Sequence, residues 1–573
     1  MVGLRSTDCS CQILKRAWGG DPPASALFAD NMWYKAEAYI ASEYAGKYLY
    51  DSGLTTIYVS DNPVLNAQHV IFEAAKGYKY GLPYHAALAS VTTAPAERLG
   101  FGQRLGKIKP GFDADIVVWD SDPLSVGATP VQVWIDGTAQ FEGPVELNKP
   151  FEGHIVPDED LANIVEEPVK VDGDVVFTGV SKVFLPADIT GRVADDGTVN
   201  VAISDGKITC VGSCDAELTA ASGSNGMVVR LKNGYLTRAF TAFGSTLGLN
   251  AIDAERDTDN GADGDVFSRA VDGLALDTKK LRVAHNYGVT RAFSAPKAHG
   301  GVGTQHGTSA GFLTGAKTAA VRGAVFAEDA AVHYTLDLSA KRGSNTPSIS
   351  SAVGALRRDL LAAVKASEGG KAAEANPFTE LAYMRRVVAG ELPLAVMAHS
   401  ADTIAAVLNV KKDIEEAIAK SKVGSGIRLV IIGGAEAHLV AGGLAAAKVG
   451  VVLAPLFSYA FTWDQRRALT GAPLTNGTTI DVLVDAGVVT VVGLQEDWVV
   501  RDLGLLAGVA YKNGGGKLSE EEALDLVSLN VFKVLGREEP EGQQHFIIHE
   551  GNPLGIGSRV KAVGDGTGSI SVF

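Results

Sequence analysis

An α/β fold built on a parallel sheet, either a barrel or a doubly wound sheet, follows from three features of the 573-residue sequence. Short apolar, β-rich runs at 289–294, 395–398, 427–432, 449–454 and 488–494 carry no polar alternation, as expected of strands buried on both faces. Amphipathic stretches at 355–366, 402–420 and 519–535 separate several of them, and such alternation is the signature of parallel β/α units. The 66 glycines suit many tight strand–helix connections.

The elements follow in order. Residues 32–50 have a helical pattern, 54–59 form a β-branched run ending at Ser60-Asp61-Asn62-Pro63, and helices are expected through 68–78 and 83–99, the last stopped by Gly100. Short strands follow within 106–120 and 131–137. Residues 141–173 are rich in Pro, Glu and Asp, lack periodicity and read as a linker. A second unit opens near Asp174, where 175–177 and 201–212 suggest antiparallel strands with a turn at Asp205-Gly206. The helix at 519–535 begins with a capping box, Ser519 to Glu522, and stops at Gly536. The order strand, helix, Leu-Gly and then Asp/Asn-Pro-Leu occurs at 53–124 and again at 487–554, which suggests the ends of two copies of one large unit.

Composition excludes some functions. A net charge of -15 with no Lys/Arg run argues against nucleic acid and anionic membrane as partners. The apolar tract 439–463 is broken by Lys448 and Pro455 and reads as helix, turn and strand rather than a membrane span. Four cysteines, Cys9, Cys11, Cys210 and Cys214, make neither a disulfide framework nor a zinc ribbon. Reduced thiols and a cytoplasmic location are the expectation.

The segment from Ala86 to Gly100, followed by Gly106 to Asp120, closely resembles the closing section of amidohydrolase-superfamily enzymes. Residues 174–212 resemble that family's opening sandwich strands, and Arg428 to Ile432, Ala454-Pro455, Trp463 to Arg467 and Ala523 to Gly536 resemble its imidazolonepropionase-type branch. Tandem proteins of this kind occur among fungal amidohydrolase-like sequences. The resemblance implies a (β/α)8 TIM-like metal-dependent hydrolase barrel with a small composite β-sandwich, preceded by the C-terminal tail of a second such unit. The expected layout is 1–24 unassigned, 25–140 the tail of the first unit, 141–173 linker, 174–230 opening sandwich strands, 231–536 the barrel and 537–573 a closing segment. Strands one to six of the first unit are missing from the sequence, which suggests an N-terminally truncated record; circular permutation is disfavoured because the second unit has its own eighth strand.

The resemblance also implies chemistry. A divalent, zinc-like ion activates water against a carbon–nitrogen bond, held by His-x-His, two single histidines, a Lys or Glu, and an aspartate after the eighth strand that also moves the proton. In the second unit the His-x-His positions are Gly244 and Thr246, the second single-His position is Gly433-Gly434, and Gln495-Glu496-Asp497 stand in the aspartate region. His399 is the one histidine at a ligand position, a vestigial metal residue. In the first unit's tail, Asp61 matches the catalytic and metal-binding aspartate, although a lone aspartate after a strand is also a common turn residue. The expectation is therefore a hydrolase by lineage with an incomplete metal site and metal absent or weakly held. The alternative is a non-catalytic barrel that acts as a binding or assembly partner. A small-molecule substrate is the expected partner, with a homo-oligomer left open.

Other constellations carry less. Gly307-Thr-Ser309-Ala-Gly311 matches a serine-hydrolase elbow, but a glycine-rich polar stretch precedes it where a buried strand is required. His299 and His306 share that loop. His285 and His438 read as packed or surface residues, and His545 and His549 lie in a strand, where four-residue spacing does not join them as on a helix. Asp464 to Arg467 reads as a salt-bridged loop rather than a substrate clamp.

Overall fold

Seven parallel strands line the middle of the chain: Phe240–Phe243, Val289–Ser294, Val332–Thr335, Leu394–Ala398, Leu429–Gly433, Gly450–Leu453 and Thr490–Val492. The computed structural model describes residues 10–150, 154–163, 167–185, 197–223, 226–261, 267–296, 305–342, 346–368, 376–540 and 544–573. These strands are almost wholly buried, because helices cover one face and side chains fill the other. Past the last strand, the Leu494 N–H donates to Phe243 O at 2.8 Å, so the sheet curls back to its first strand.

The expected uniform (β/α)8 pattern is corrected in one place. Between Val289–Ser294 and Val332–Thr335 the chain makes an antiparallel pass: Gln305–Thr308 pairs with Val332–Thr335, and Ala310–Leu313 with Val289–Ser294 and Val325–Ala327. No helix lies between those two strands among the described residues. Gly307 explains part of this path. Its φ is +103°, and a Cβ there would meet Ser268 O at 1.7 Å, so only glycine passes. Ser309 sits on this pass, fully buried, with its hydroxyl 3.5 Å from Ala331 O, so it is not a nucleophile elbow. His299 lies outside the described residues, as does the side chain of His306.

Phe243, Phe293, Val430, Ile432, Val452 and Val491 fill the inside of the curl. The helix Leu529–Leu535 caps the strand starts: Phe532 packs on Phe293 with ring centroids 5.5 Å apart, and Asn530 donates to Thr490 O at 3.0 Å. The continuous helix expected over 519–535 is two helices, Glu520–Asp525 and Leu529–Leu535. The cause is local. The carbonyls of Leu526 and Val527 accept from Val492 N and Thr241 N at 2.9 Å each, so they serve the sheet instead of the helix. The capping box at Ser519 and the left-handed stop at Gly536 are present as expected.

An eight-stranded sheet joins the opening strands to the closing ones, in the order Val169–Val171, Ile570–Val572, Arg559–Asp565, His545–Glu550, Met227–Arg238, Val175–Phe184, Val199–Ser204 and Lys207–Gly212. The turn at Asp205-Gly206 has φ of 48° and 70°, the conformation its sequence favours. Val169–Val171 lies in the stretch read as linker and forms an edge of this sheet, a correction to that reading. Cys210 and Cys214 are also corrected: they are joined in a disulfide, not free thiols.

Residues 25–139 do not stand alone. Ser25–Leu27 pairs in parallel with Thr56–Tyr58, and Ile116–Trp119, Pro130–Ile135 and Thr138–Ala139 form a three-stranded sheet. The helix expected over 32–50 is two short ones, Ala36–Tyr39 and Ala45–Asp51: Trp33, with φ +68° and a buried ring, precedes the first, and between them the Tyr39 and Ala41 carbonyls accept from Lys279 at 3.0 and 2.8 Å. The apolar face, including Leu49, Tyr58, Ile71, Tyr78 and Leu82, packs with Val509 and Leu505 of the helix Leu503–Asn513 and with Ile556. Residues from the C-terminal part of the chain thus cover the core of residues 25–139. No described helix is long and apolar enough to cross a membrane.

Candidate functional site

The residues that follow the parallel strands form one end of the curl, where the sequence resemblance places metal ligands. Gly244 closes the sheet there. Its φ is +112° and a Cβ would stand 2.8 Å from Leu494 O, so a larger residue has no room on this backbone. The Thr246 hydroxyl accepts from Asn250 at 3.0 Å. His399 follows Leu394–Ala398 and is buried, its ring lying over Gly433. A Cβ on Gly433 would approach His399 Cε1 to 2.7 Å, and Gly433 has φ +94°. Gly433→Ala is therefore expected to cost about 1–3 kcal/mol in urea unfolding, from overpacking and a left-handed alanine. A change within about 0.5 kcal/mol would show that the ring moves freely aside.

His333 also points inside the curl, 6.1 Å from the Phe243 ring, beside a cavity of about 40 Å³ lined in part by Thr246, Met397 and Ile432. Its register partner is Ala395, four residues before His399 and so ~13 Å away along the strand. Strand alternation was the one sequence signal for His333, and it required the Val332–Thr335 strand to be recognised first.

Asp497 is spoken for elsewhere. Lys280 Nζ, fully buried, meets Asp497 at 2.7 Å and also contacts Asp253 and Asn250 at 2.5 Å each. Glu436 is buried in the loop after Leu429–Gly433. It accepts from Ala401 N, Arg467 N and the Arg467 guanidinium, at 3.0, 3.0 and 2.6 Å. Burial pushes its carboxyl up, but these donors outweigh burial and hold it below the usual range. Arg467 is thus tied to Glu436 and Asp402, the salt-bridged loop expected from sequence. Three further histidines have structural partners: His285 with Asp565 at 3.1 Å, His438 with Thr479 at 3.4 Å and His545 with Thr290 at 2.9 Å.

Among the described residues, three His, Cys, Asp or Glu groups come within metal-sharing distance at one place, Cys210, Cys214 and Glu217 on the outer sheet. Both sulfurs there are spent in the disulfide, so the group is not a metal centre. The strand-end residues Gly244, Thr246, His399 and Gly433 do not fit a divalent ion.

Asp61 stands apart from these. It follows Thr56–Tyr58 on a turn with φ +45°, is solvent-exposed, and its backbone carbonyl accepts from Val64 N. The turn leans on the loop after Gly450–Leu453: Tyr459 donates to Pro63 O at 2.5 Å, and Thr470 donates to Gln68 at 2.7 Å. His69 stacks on Phe72 and meets Phe457, and its burial lowers it to about 4, so it is neutral. The structure does not bring Asp61 and His399 together in one donor set.

Deeper in the same junction lies a charged cluster. Lys76 Nζ is 2.6 Å from Asp30, 2.7 Å from Glu73 and 3.5 Å from Asp502, and Arg501 pairs with Glu43 at 3.2 Å over the Trp33 ring. Burial and then Asp30 push Asp502 up to about 8, while the surrounding carboxylates outweigh burial and hold Lys76 charged. In the sequence, Glu73 and Lys76 read only as an i,i+3 pair on a helix; nothing local shows that Asp30 and Asp502 meet there.

Residues 66–139 match the model of the amidohydrolase family. Amidohydrolase tasK of Hapsidospora irregularis is 57% identical over 559 residues, covering 92% of this chain and 56% of that protein. The chain thus spans about half the length of the curated relative it matches. An amidohydrolase from Thermotoga maritima MSB8 superposes with a TM-score of 0.53 at 21% identity, covering 70% of this chain and 99% of that one, and so shares its fold.

Proposed function

We propose that this chain belongs to a hydrolase of non-peptide carbon–nitrogen bonds of the amidohydrolase type, acting on a small molecule. Asp61 is its proton-handling carboxylate, and the unit from 174 onward is a non-catalytic support with an incomplete metal site. The observation that carries the reading is the contrast between two strand ends. Gly244 and Gly433 are held by backbone geometry that excludes a ligand side chain, whereas Asp61, next to the segment that matches the family, is presented to solvent on a turn. A tandem arrangement is supported by the repeated order of elements. Ser25–Leu27 with Thr56–Tyr58, then helices and a β-return, mirrors Gly450–Leu453 with Thr490–Val492, helices and His545–Glu550. The imidazolonepropionase-type branch rests on the sequence resemblance alone.

Elemental analysis of the 573-residue chain, purified without added metal, tests this reading. Zinc, manganese and iron are each expected far below one per chain, and unchanged by Asp61→Ala or His399→Ala. Near-stoichiometric metal that falls in either variant would overturn the support role.

A further inference from the structure

A large cavity lies away from the end where Gly244 and His399 lie. It encloses about 820 Å³ between the tail segment, the eight-stranded sheet and the starts of Phe240–Phe243 and Val289–Ser294, where Phe240 and Tyr287 form part of its wall. That volume is in the range of small-molecule sites. Its charge is opposite to that of the molecule. In a chain of net charge -15, eight lysine and arginine residues line it against three carboxylates, Glu43, Glu167 and Asp277. The side chains of Arg282, Lys317 and Lys561 form no hydrogen bond or ion pair with a described residue. Gathering like charges around a concave space raises its positive potential, which an entering anion relieves.

A second observation is independent of charge. His549, 4% exposed, lines the cavity, and neither ring nitrogen has a hydrogen-bond partner. A buried imidazole left so costs about 1–3 kcal/mol unless something else meets it. The guanidinium of Arg501 is similar. Glu43 lies 3.2 Å from Nη1 but off the N–H direction, so none of its nitrogens makes a hydrogen bond. Lys79, donating to Ser558 O at 2.8 Å, is lowered to about 8 by burial, against the pull of Asp502 and with a smaller contribution from Arg559. Between these donors the wall is aromatic: Tyr44 and Tyr287 both meet Tyr80 edge-on, at 6.0 and 6.5 Å, and Phe240 lies 6.3 Å from His549.

We infer that this cavity binds a small organic anion, a carboxylate or phosphate monoester on an aromatic body, with His549, Arg501 and Arg282 as its donors. The site is separate from the proposed role of Asp61 and stands whether or not that role holds.

Calorimetric titration of the full chain with phenyl phosphate, inorganic phosphate and phenol tests it. Phenyl phosphate is expected to bind one per chain with Kd below about 1 mM, and the other two at least about tenfold more weakly. The paired surface change Arg282→Glu/Lys317→Glu, and separately His549→Phe, should each weaken phenyl phosphate at least about tenfold. The unliganded unfolding midpoint of the surface pair should stay unchanged, which separates lost binding from lost fold. Absence of binding up to about 10 mM, or equal binding by parent and both variants, would overturn the site. Inorganic phosphate binding as tightly as phenyl phosphate would overturn the aromatic part of the assignment.

Discussion

A Lys76→Met chain is expected to be about 3–5 kcal/mol less stable than the parent, the cost of removing one partner from a buried ionic cluster. Methionine keeps most of the length and volume, so the loss reports charge rather than a cavity. Lys76 is the common partner of Asp30, Glu73 and Asp502, all buried, and they come from three separate parts of the chain. Without the cation, Asp30 keeps the Tyr80 hydroxyl at 3.2 Å and Glu73 keeps Ala29 N at 2.8 Å, which do not replace a charge. Asp502, pushed up to about 8, already holds a proton at neutral pH, so the loss is smaller than three full ion pairs would suggest. Urea unfolding followed by tryptophan fluorescence measures it, since Trp498 lies 5.4 Å from the Lys76 nitrogen. Limited proteolysis should show the tail segment released before the rest. A loss below about 1 kcal/mol would mean that water reaches the cluster and compensates for the missing cation.

The second large effect is a pH-dependent difference at His549. Burial lowers this histidine to about 3, with Lys79 adding to the shift. The sign follows from proton uptake. Above the unfolded value of about 6.5 neither state is protonated and the group contributes nothing. As pH falls below about 6.5 the unfolded chain takes a proton that the folded chain refuses, and stability is lost at about 1.4 kcal/mol per pH unit until pH nears 3. His549→Phe removes the term. Relative to the parent, the variant should therefore gain about 2 kcal/mol between pH 7.5 and pH 5. The difference is the quantity to measure, because Asp502 and Glu73, both raised mainly by burial, tilt the parent's own profile the other way. Chemical unfolding of both chains at several pH values decides it. A difference that is flat with pH would mean that His549 is hydrated in the folded state.

These two sites show where local sequence stops being informative. Helix signals were legible where their cause is local: the box at Ser519, the left-handed stop at Gly536 and the Asp205-Gly206 turn each depend on two to four neighbouring residues. The break at Leu526 and Val527 was not legible, because strands more than thirty residues earlier in the chain claim those carbonyls. The antiparallel pass through Ser309 was likewise hidden. A glycine-rich run has no period from which direction can be read, and the pairing partners lie on either side of it.

The candidate site divides in the same way. At the positions the resemblance marks, residue identity removed Gly244 and Gly433 as ligands, since no fold gives glycine a donor side chain, and Thr246 because a neutral hydroxyl is a poor zinc ligand. Asp61 was marked only by the family resemblance of its flanking residues, since an aspartate after a strand is by itself a common turn residue. Position in space decided the rest. Asp497 proved to be the partner of Lys280, Asp61 lies on an exposed turn and shares no donor set with His399, and residues such as Leu505, Val509 and Ile556 cover the apolar face of residues 25–139. The sequence by itself determined the fold class, the resemblance to amidohydrolases and the poverty of donors at the strand ends, because these depend on periodicity and side-chain chemistry. Only the tertiary structure decided which charges share a desolvated space. The energy of an ion depends on what surrounds it in three dimensions, and for Lys76 and His549 those surroundings come from segments up to several hundred residues away.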